Sequence, residues 1–186
     1  AAASKCDVPE LKNGTTYNFS VTSYYLTSES TLSDAVTAHP YTSPSAPQSA
    51  AAALDDTTHT SVIVTFSPPA SDGGDPVTQY RVTCSSTDGG PTRTAYGSLS
   101  PISIDDLSTQ ATYSCTVAAM NAAAWGVESE ATELIAAYAP SSPPLDVTAA
   151  LLGTDTLSVE VSFSKPQHSN NRAVTEYLTT CSTTDP

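Results

Sequence analysis

The sequence predicts an all-β protein made of tandem two-sheet sandwiches, and three observations carry that reading. A stretch recurs: residues 61–84 read SVIVTFSPPASDGGDPVTQYRVTC, and residues 158–181, 97 positions later, read SVEVSFSKPQHSNNRAVTEYLTTC. A second echo runs at 96, with Leu11-Lys-Asn-Gly-Thr-Thr-Tyr17-Asn-Phe19 against Leu107-Ser-Thr-Gln-Ala-Thr-Tyr113-Ser-Cys115. Self-similarity at a fixed period marks a modular array, and a period of about 96 residues suits a small sandwich. Between the echoes, apolar residues alternate with period two, and clusters of Pro, Gly and Asp interrupt them at short intervals.

The first echo belongs to the front of a repeat and the second to its back. The expected organisation is therefore the back half of one unit over 1–41, a linker at 42–46 and a complete unit over 47–138. A second linker at 139–143 and the front half of a further unit over 144–186 follow. Within the complete unit, Val62, Val64 and Phe66 share one face, as do Tyr80, Val82 and Cys84, then Ile102 and Ile104. Tyr113, Cys115, Val117 and Ala119 follow the same rule, which predicts half-buried strands. Turns fall at Pro68-Pro69, at Asp72-Gly73-Gly74-Asp75-Pro76, at Asp88-Gly89-Gly90-Pro91 and over 121–126. Residues 130–137 read best as a last strand. Pro40–Pro47 and Ala139–Pro144 are Pro/Ser-rich, and their extended backbone makes them stiff spacers between units.

Composition narrows the function classes. Ser and Thr number 55, while charged residues make up 13% of the chain, so the surface is hydroxyl-rich rather than ionic. That balance points to an extracellular or cell-surface setting. The net charge of −13 rests on six basic residues, which argues against nucleic acid, whose phosphates need Lys and Arg. No run of eighteen apolar residues occurs that would insert in a membrane as a helix. Asp55-Asp56 and Asp105-Asp106 read as solvated turns.

The middle unit resembles a fibronectin type III domain. The residues that carry the resemblance are Ser45-Ala-Pro47, Val64-Thr-Phe66-Ser-Pro68, the Asp-Gly-Gly-x-Pro-Val-Thr-x-Tyr run ending at Tyr80, the Leu107-x5-Tyr113 spacing and Asn121. The family usually has Trp where this chain has Phe66 and Phe163. The resemblance implies seven-stranded sandwiches, one complete and two partial. It also implies a tyrosine corner, in which Leu107 and Tyr113, and likewise Leu11 and Tyr17, fill the core and the phenol returns to nearby backbone.

In the resembled fold, Cys84 and Cys115 lie opposite each other on neighbouring strands and point into the core, so a disulfide between them is expected. Cys181 is the repeat equivalent of Cys84, and Cys6 falls at the position of Ile102, on a core-facing site of the other sheet. Neither has a mate within its own segment, so a bridge between Cys6 and Cys181 across copies is a candidate. Asn13 and Asn18 head N-glycosylation sequons, with Asn13 in a turn and Asn18 alternating outward. Trp125 stands in a turn either as a lid over the sandwich end or as a contact anchor.

No catalytic constellation is present: His39, His59 and His168 are scattered, and no motif calls for a metal or a cofactor. The expected function is a non-enzymatic building block of an extracellular rod or filament. Its partners would be copies of itself or further modules of the same chain, joined head to tail, with glycans attached. Complementary half-units in separate chains, or a window of a longer polypeptide, both satisfy the repeat. The alternatives are a ligand-binding adhesion or receptor ectodomain, and spacer modules of a secreted carbohydrate-active enzyme.

Overall fold

The computed structural model describes residues 4–153 and 158–183. The N-terminal segment contributes four short strands: β1 (Tyr17–Phe19), β2 (Tyr24–Tyr25), β3 (Ser28–Glu29) and β4 (Val36–Ala38). Seven strands follow: β5 (Gln48–Leu54), β6 (Val62–Ser67), β7 (Gln79–Ser85), β8 (Arg93–Gly97), β9 (Ile102–Ile104), β10 (Thr112–Met120) and β11 (Ile135–Ala136). The C-terminal segment adds β12 (Leu145–Leu151) and β13 (Val159–Ser164). Every ladder is antiparallel.

The seven middle strands form a sandwich, with β5-β6-β9 in one sheet and β11-β10-β7-β8 in the other. Alternation places Val62, Val64 and Phe66 of β6 inside, facing Tyr80, Val82 and Cys84 of β7. Ile102, Ile104, Leu107, Tyr113 and Val117 complete the core. Burying side chains of this size contributes about 1.5–3 kcal/mol each, which is the main term holding the two sheets together.

The repeat is structural as well as sequential. The β5–β6 register slips between Gln48 and Ala51, and the β12–β13 register slips between Leu145 and Thr148, 97 residues on. Ser49 and Asp146 take the same left-handed φ of 52° at those irregularities. Phe66 packs on Tyr80 with centroids 4.7 Å apart, and Phe163 packs on Tyr177 at the same distance. On the other side, Ser108 N donates to the Tyr113 hydroxyl at 3.1 Å, and Lys12 N donates to the Tyr17 hydroxyl at 2.9 Å.

Two expectations from the sequence are not met. The counterpart of β7, residues 176–182, forms no strand, and neither does the segment around Cys6 that corresponds to β9. In the middle sandwich β7 is held by β8 and β10, and β9 is held by β6. Among the described residues the terminal segments lack those ladders, and their strands share no sheet with one another. Their apolar residues stay open as a result: Val159 is 58% exposed where Val62 is sealed, and Val21 is 71% exposed where Val117 is sealed.

Candidate functional site

The sandwich core holds a disulfide between Cys84 and Cys115, whose Cα atoms are 4.0 Å apart across the β7–β10 ladder. Period-two alternation aims both thiols inward at opposed register positions. Cys6 and Cys181 are exposed and unbonded. Cys6 does not reach a core-facing position, because among the described residues of its own segment no β6-like strand is present to seat it in a sheet.

The chemistry of the chain concentrates where the segments meet. At the first joint, the linker is strapped to the sandwich rather than merely stiffened by proline: Thr42 N donates to Gly73 O at 2.9 Å and Ser45 N to Ser71 O at 2.9 Å. Gly73 and Gly74 take φ of 79° and 91°, in the left-handed region, and they leave no room for a side chain. A Cβ on Gly73 would lie 2.1 Å from Thr42 O, and one on Gly74 would lie 2.2 Å from Gly14 N. His39 Nε2 meets Gly74 O at 2.6 Å.

Asn121 locks this joint. It is 2% exposed, and its amide Nδ2 donates to Thr42 O and Asp72 O, each at 2.7 Å, with Asp75 O at 3.4 Å. Its Oδ1 accepts from Ala123 N at 2.9 Å. One side chain thereby ties the linker, the turn after β6 and the turn after β10. A buried amide satisfied on both ends specifies a single arrangement.

The second joint repeats the first at an offset of 97. Ser142 N donates to His168 O at 3.0 Å, as Ser45 N does to Ser71 O. His168 N donates to Ser142 Oγ at 3.2 Å, as Ser71 N does to Ser45 Oγ at 3.1 Å. Asn170 and Asn171 replace the glycine pair and also take positive φ, of 50° and 64°, a region Asn tolerates better than most residues. Their side chains span the gap that the glycines close by contact. Asn170 Nδ2 donates to Pro140 O at 2.7 Å, and Asn171 Nδ2 donates to Ala137 O at 2.9 Å and Ala111 O at 3.3 Å. Arg172 lies over the Tyr138 ring, 4.1 Å from its centroid, and His59 stacks against that tyrosine at 4.5 Å. The three histidines, scattered in sequence, thus gather at the two joints.

Trp125 does not lid the sandwich end. It lies against the outer face of the four-stranded sheet, with the Arg81 guanidinium 4.8 Å from its centroid and Tyr96 at 6.1 Å. Arg81 also pairs with Glu128 at 3.1 Å. Asn13 and Asn18 are both exposed; Asn18 projects from β1, while the backbone of Asn13 and Gly14 abuts Gly74. Among the described residues, no three His, Cys, Asp or Glu side chains cluster as metal ligands would.

Two carboxylates brace loops. Asp88 is held below the usual carboxylate range by hydroxyl bonds from Ser86 and then Thr112, with the Thr112 amide adding to them. Asp55 is lowered in the same way by the Thr57 hydroxyl and the amides of Thr57 and Thr58. Asp55 clasps its own turn, whereas Asp88 ties the turn after β7 to the start of β10.

A family model described as the fibronectin type III domain matches residues 45–135. A comparison with curated proteins gives no match. Among solved structures, a crystal structure of titin domains is similar at 24% identity and a TM-score of 0.49, over 56% of this chain and 36% of that one. Titin kinase with its flanking domains is similar at 25% identity and a TM-score of 0.46, over 50% and 17%. The FN1–FN3 domains of chicken CNTN1 are similar at 21% identity and a TM-score of 0.44, over 57% and 37%. The chain therefore spans well under two thirds of each of these.

Proposed function

Residues 45–135 are a fibronectin type III domain, and from that premise we propose that the chain is a non-enzymatic building block of an extracellular rod or filament. The observation that carries the reading is the joint. The same linker-to-turn hydrogen bonds recur at 97-residue spacing, Ser45 to Ser71 and Ser142 to His168. A repeated joint with repeated geometry propagates one fixed angle from module to module, which is what a rod needs. The core disulfide and the hydroxyl-rich surface support an oxidising, extracellular setting. Asn13 and Asn18 are the proposed glycan acceptors.

Small-angle scattering of the chain, at a concentration where it is monomeric, tests this. A pair-distance distribution of a rigid elongated particle is expected; the profile of a freely jointed chain would refute it. A second reading, adhesion, is favoured by one feature: Tyr96, 59% exposed, beside Trp125 and Arg81 on an open sheet face. Aromatic and Arg side chains grouped in this way resemble interface anchors. Under that reading Trp125→Ala abolishes binding to a cell surface or matrix while leaving the scattering profile unchanged.

A further inference from the structure

Of the five asparagines in the chain, Asn13 alone is followed by glycine. Glycine carries no Cβ to fend off a neighbouring group, so its main-chain nitrogen is readily reached by the side chain before it. Asn13 is exposed and sits in a turn closed by Thr15 N, which donates to Lys12 O at 3.3 Å. Gly14 takes the next position of that turn with φ of 78°, the value a type II turn demands of its third residue.

The equivalent turn of the complete sandwich, 96 residues on, spans 108–111 and is closed by Ala111 N to Ser108 O, also at 3.3 Å. With a whole module in front of it, that turn still lies at the surface. Gln110 is exposed and reaches His168 across the second joint at 3.4 Å. The position is thus a pole of the module that faces the following joint. Thr109-Gln110 stands there in place of Asn13-Gly14, so the second joint lacks the reactive pair.

The first joint clamps the Asn13–Gly14 peptide bond. Gly14 N donates to Pro40 O at 3.0 Å. The nitrogen is trigonal, so a new bond to the Asn13 side-chain carbon must form along the direction of that N–H, where Pro40 O stands. Pro40 is held in turn by its neighbours: His39 Nε2 meets Gly74 O at 2.6 Å, and Thr42 N donates to Gly73 O at 2.9 Å. Gly74 presses on the same peptide bond, since a Cβ on it would lie 2.2 Å from Gly14 N and 2.7 Å from Asn13 C.

We propose that Asn13 is a deamidation site latched by the first joint, and that its rearranged product opens that joint. Gly14 N bonds to Asn13 Cγ, the bond from Cγ to Nδ2 breaks, and Nδ2 leaves as ammonia with the proton that Gly14 N gives up. Water then opens the five-membered imide at either carbonyl, and no electrons are transferred. Opening at the main-chain carbonyl leaves the chain running through Cβ and Cγ, one methylene longer, with a carboxylate beside it. The longer link falls where Gly74 leaves no room for an added carbon. The joint that restrains the reaction is therefore the joint its product disrupts, and deamidation records the time the joint has spent open. A glycan would occupy the same Nδ2, so the two modifications compete for one atom.

The full chain, produced in a host that adds no glycan, is held in warm, mildly alkaline buffer and sampled by peptide mapping with mass spectrometry. Chromatography before the spectrometer separates the asparaginyl, aspartyl and isoaspartyl forms of residue 13. A synthetic peptide of residues 8–20 supplies the unrestrained rate. A minor open state is about 0.1–10% populated, so conversion in the chain should be about tenfold or more slower than in the peptide. His39→Ala removes the contact to Gly74 O, and Gly74→Val displaces residue 74 from the turn. Each should bring the rate toward that of the peptide, with the Cys84–Cys115 bond intact as the sign of a folded sandwich. The isolated isoaspartyl form should lose hydrogen-exchange protection at the Thr42 amide. Conversion of the unsubstituted chain at the peptide's rate, no acceleration in either variant, or full protection of Thr42 in the isoaspartyl form would overturn the proposal.

Discussion

Replacing Asn121 with alanine removes a side chain that holds three distant segments together at the first joint. Its Nδ2 makes two bonds of 2.7 Å to carbonyl oxygens, and its Oδ1 receives the Ala123 amide at 2.9 Å. A typical net hydrogen bond is worth about 1 kcal/mol, and a buried partner left unpaired costs about 1–3 kcal/mol. The side chain is sealed but Thr42 and Asp72 lie at the surface, so water recovers part of the loss at their carbonyls. The expected cost is about 3 kcal/mol, which for a domain of this size lowers the melting temperature by roughly 12–24 °C.

Asn121→Asp sharpens the test, because it keeps the acceptor for Ala123 and turns a carboxylate oxygen toward two carbonyls. It should destabilise more than alanine near neutral pH, and recover toward alanine as the carboxyl is protonated. Calorimetry across pH reads both variants. If Asn121→Asp melts with the unsubstituted protein, the amide is not donating to those carbonyls and the account of the joint is wrong.

Gly74→Val should force the first joint open, since its Cβ would overlap Gly14 N at 2.2 Å; the radius of gyration changes and the Thr42 amide loses protection from hydrogen exchange. Reducing Cys84–Cys115, which spans 31 residues, should destabilise the sandwich by about 3–4 kcal/mol on the chain-entropy model, read as a lower denaturant midpoint. Hydroxyl bonds from Ser86 and Thr112 hold the folded-state pKa of Asp88 below the ordinary carboxylate value of 3.8. Its contribution is therefore present above that value and is lost as pH falls through the lowered one. Asp88→Asn should flatten the loss of stability as pH falls below about 4, seen in denaturation midpoints.

The sandwich was legible because burial imposes period two on β6, β7, β9 and β10, and because the same phrases return 96 or 97 residues later. The opposition of Cys84 and Cys115 followed from the resembled fold, once Tyr80 and Tyr113 fixed the strand register. Asn121 was visible as a strand terminator but not as a clamp. Its partners at 42, 72 and 75 converge only when the linker folds back on the turn. The joints were obscured for a related reason: Gly73-Gly74 and Asn170-Asn171 solve one geometric problem by opposite means, so they do not look alike in sequence. Trp125 was read either as a lid over the sandwich end or as a contact anchor, and spacing could not choose between them because the pull of the Arg81 guanidinium on an outer face leaves no trace in it. Cys6 and Cys181 carried register information, but a strand needs its ladder, and among the described residues neither cysteine's own segment supplies one.

One rim of the four-stranded sheet is held in an unusual way. Val117 N and Cys115 N donate to the hydroxyls of Ser129 and Thr132, while the amides of Ser129 and Thr132 return bonds to the carbonyls of Val117 and Cys115. The same hydroxyls then donate to the next carbonyls along their own chain, Glu130 O and Glu133 O. A sheet edge normally offers a free row of donors and acceptors on which any extended chain can crystallise. Here part of that row is already consumed from within, and Glu128, Glu130 and Glu133 add negative charge along it. Such a rim refuses lateral neighbours. In the proposed rod, a dense bundle would stay a bundle of separable threads, because this rim gives neighbours no row on which to fuse side by side into sheets.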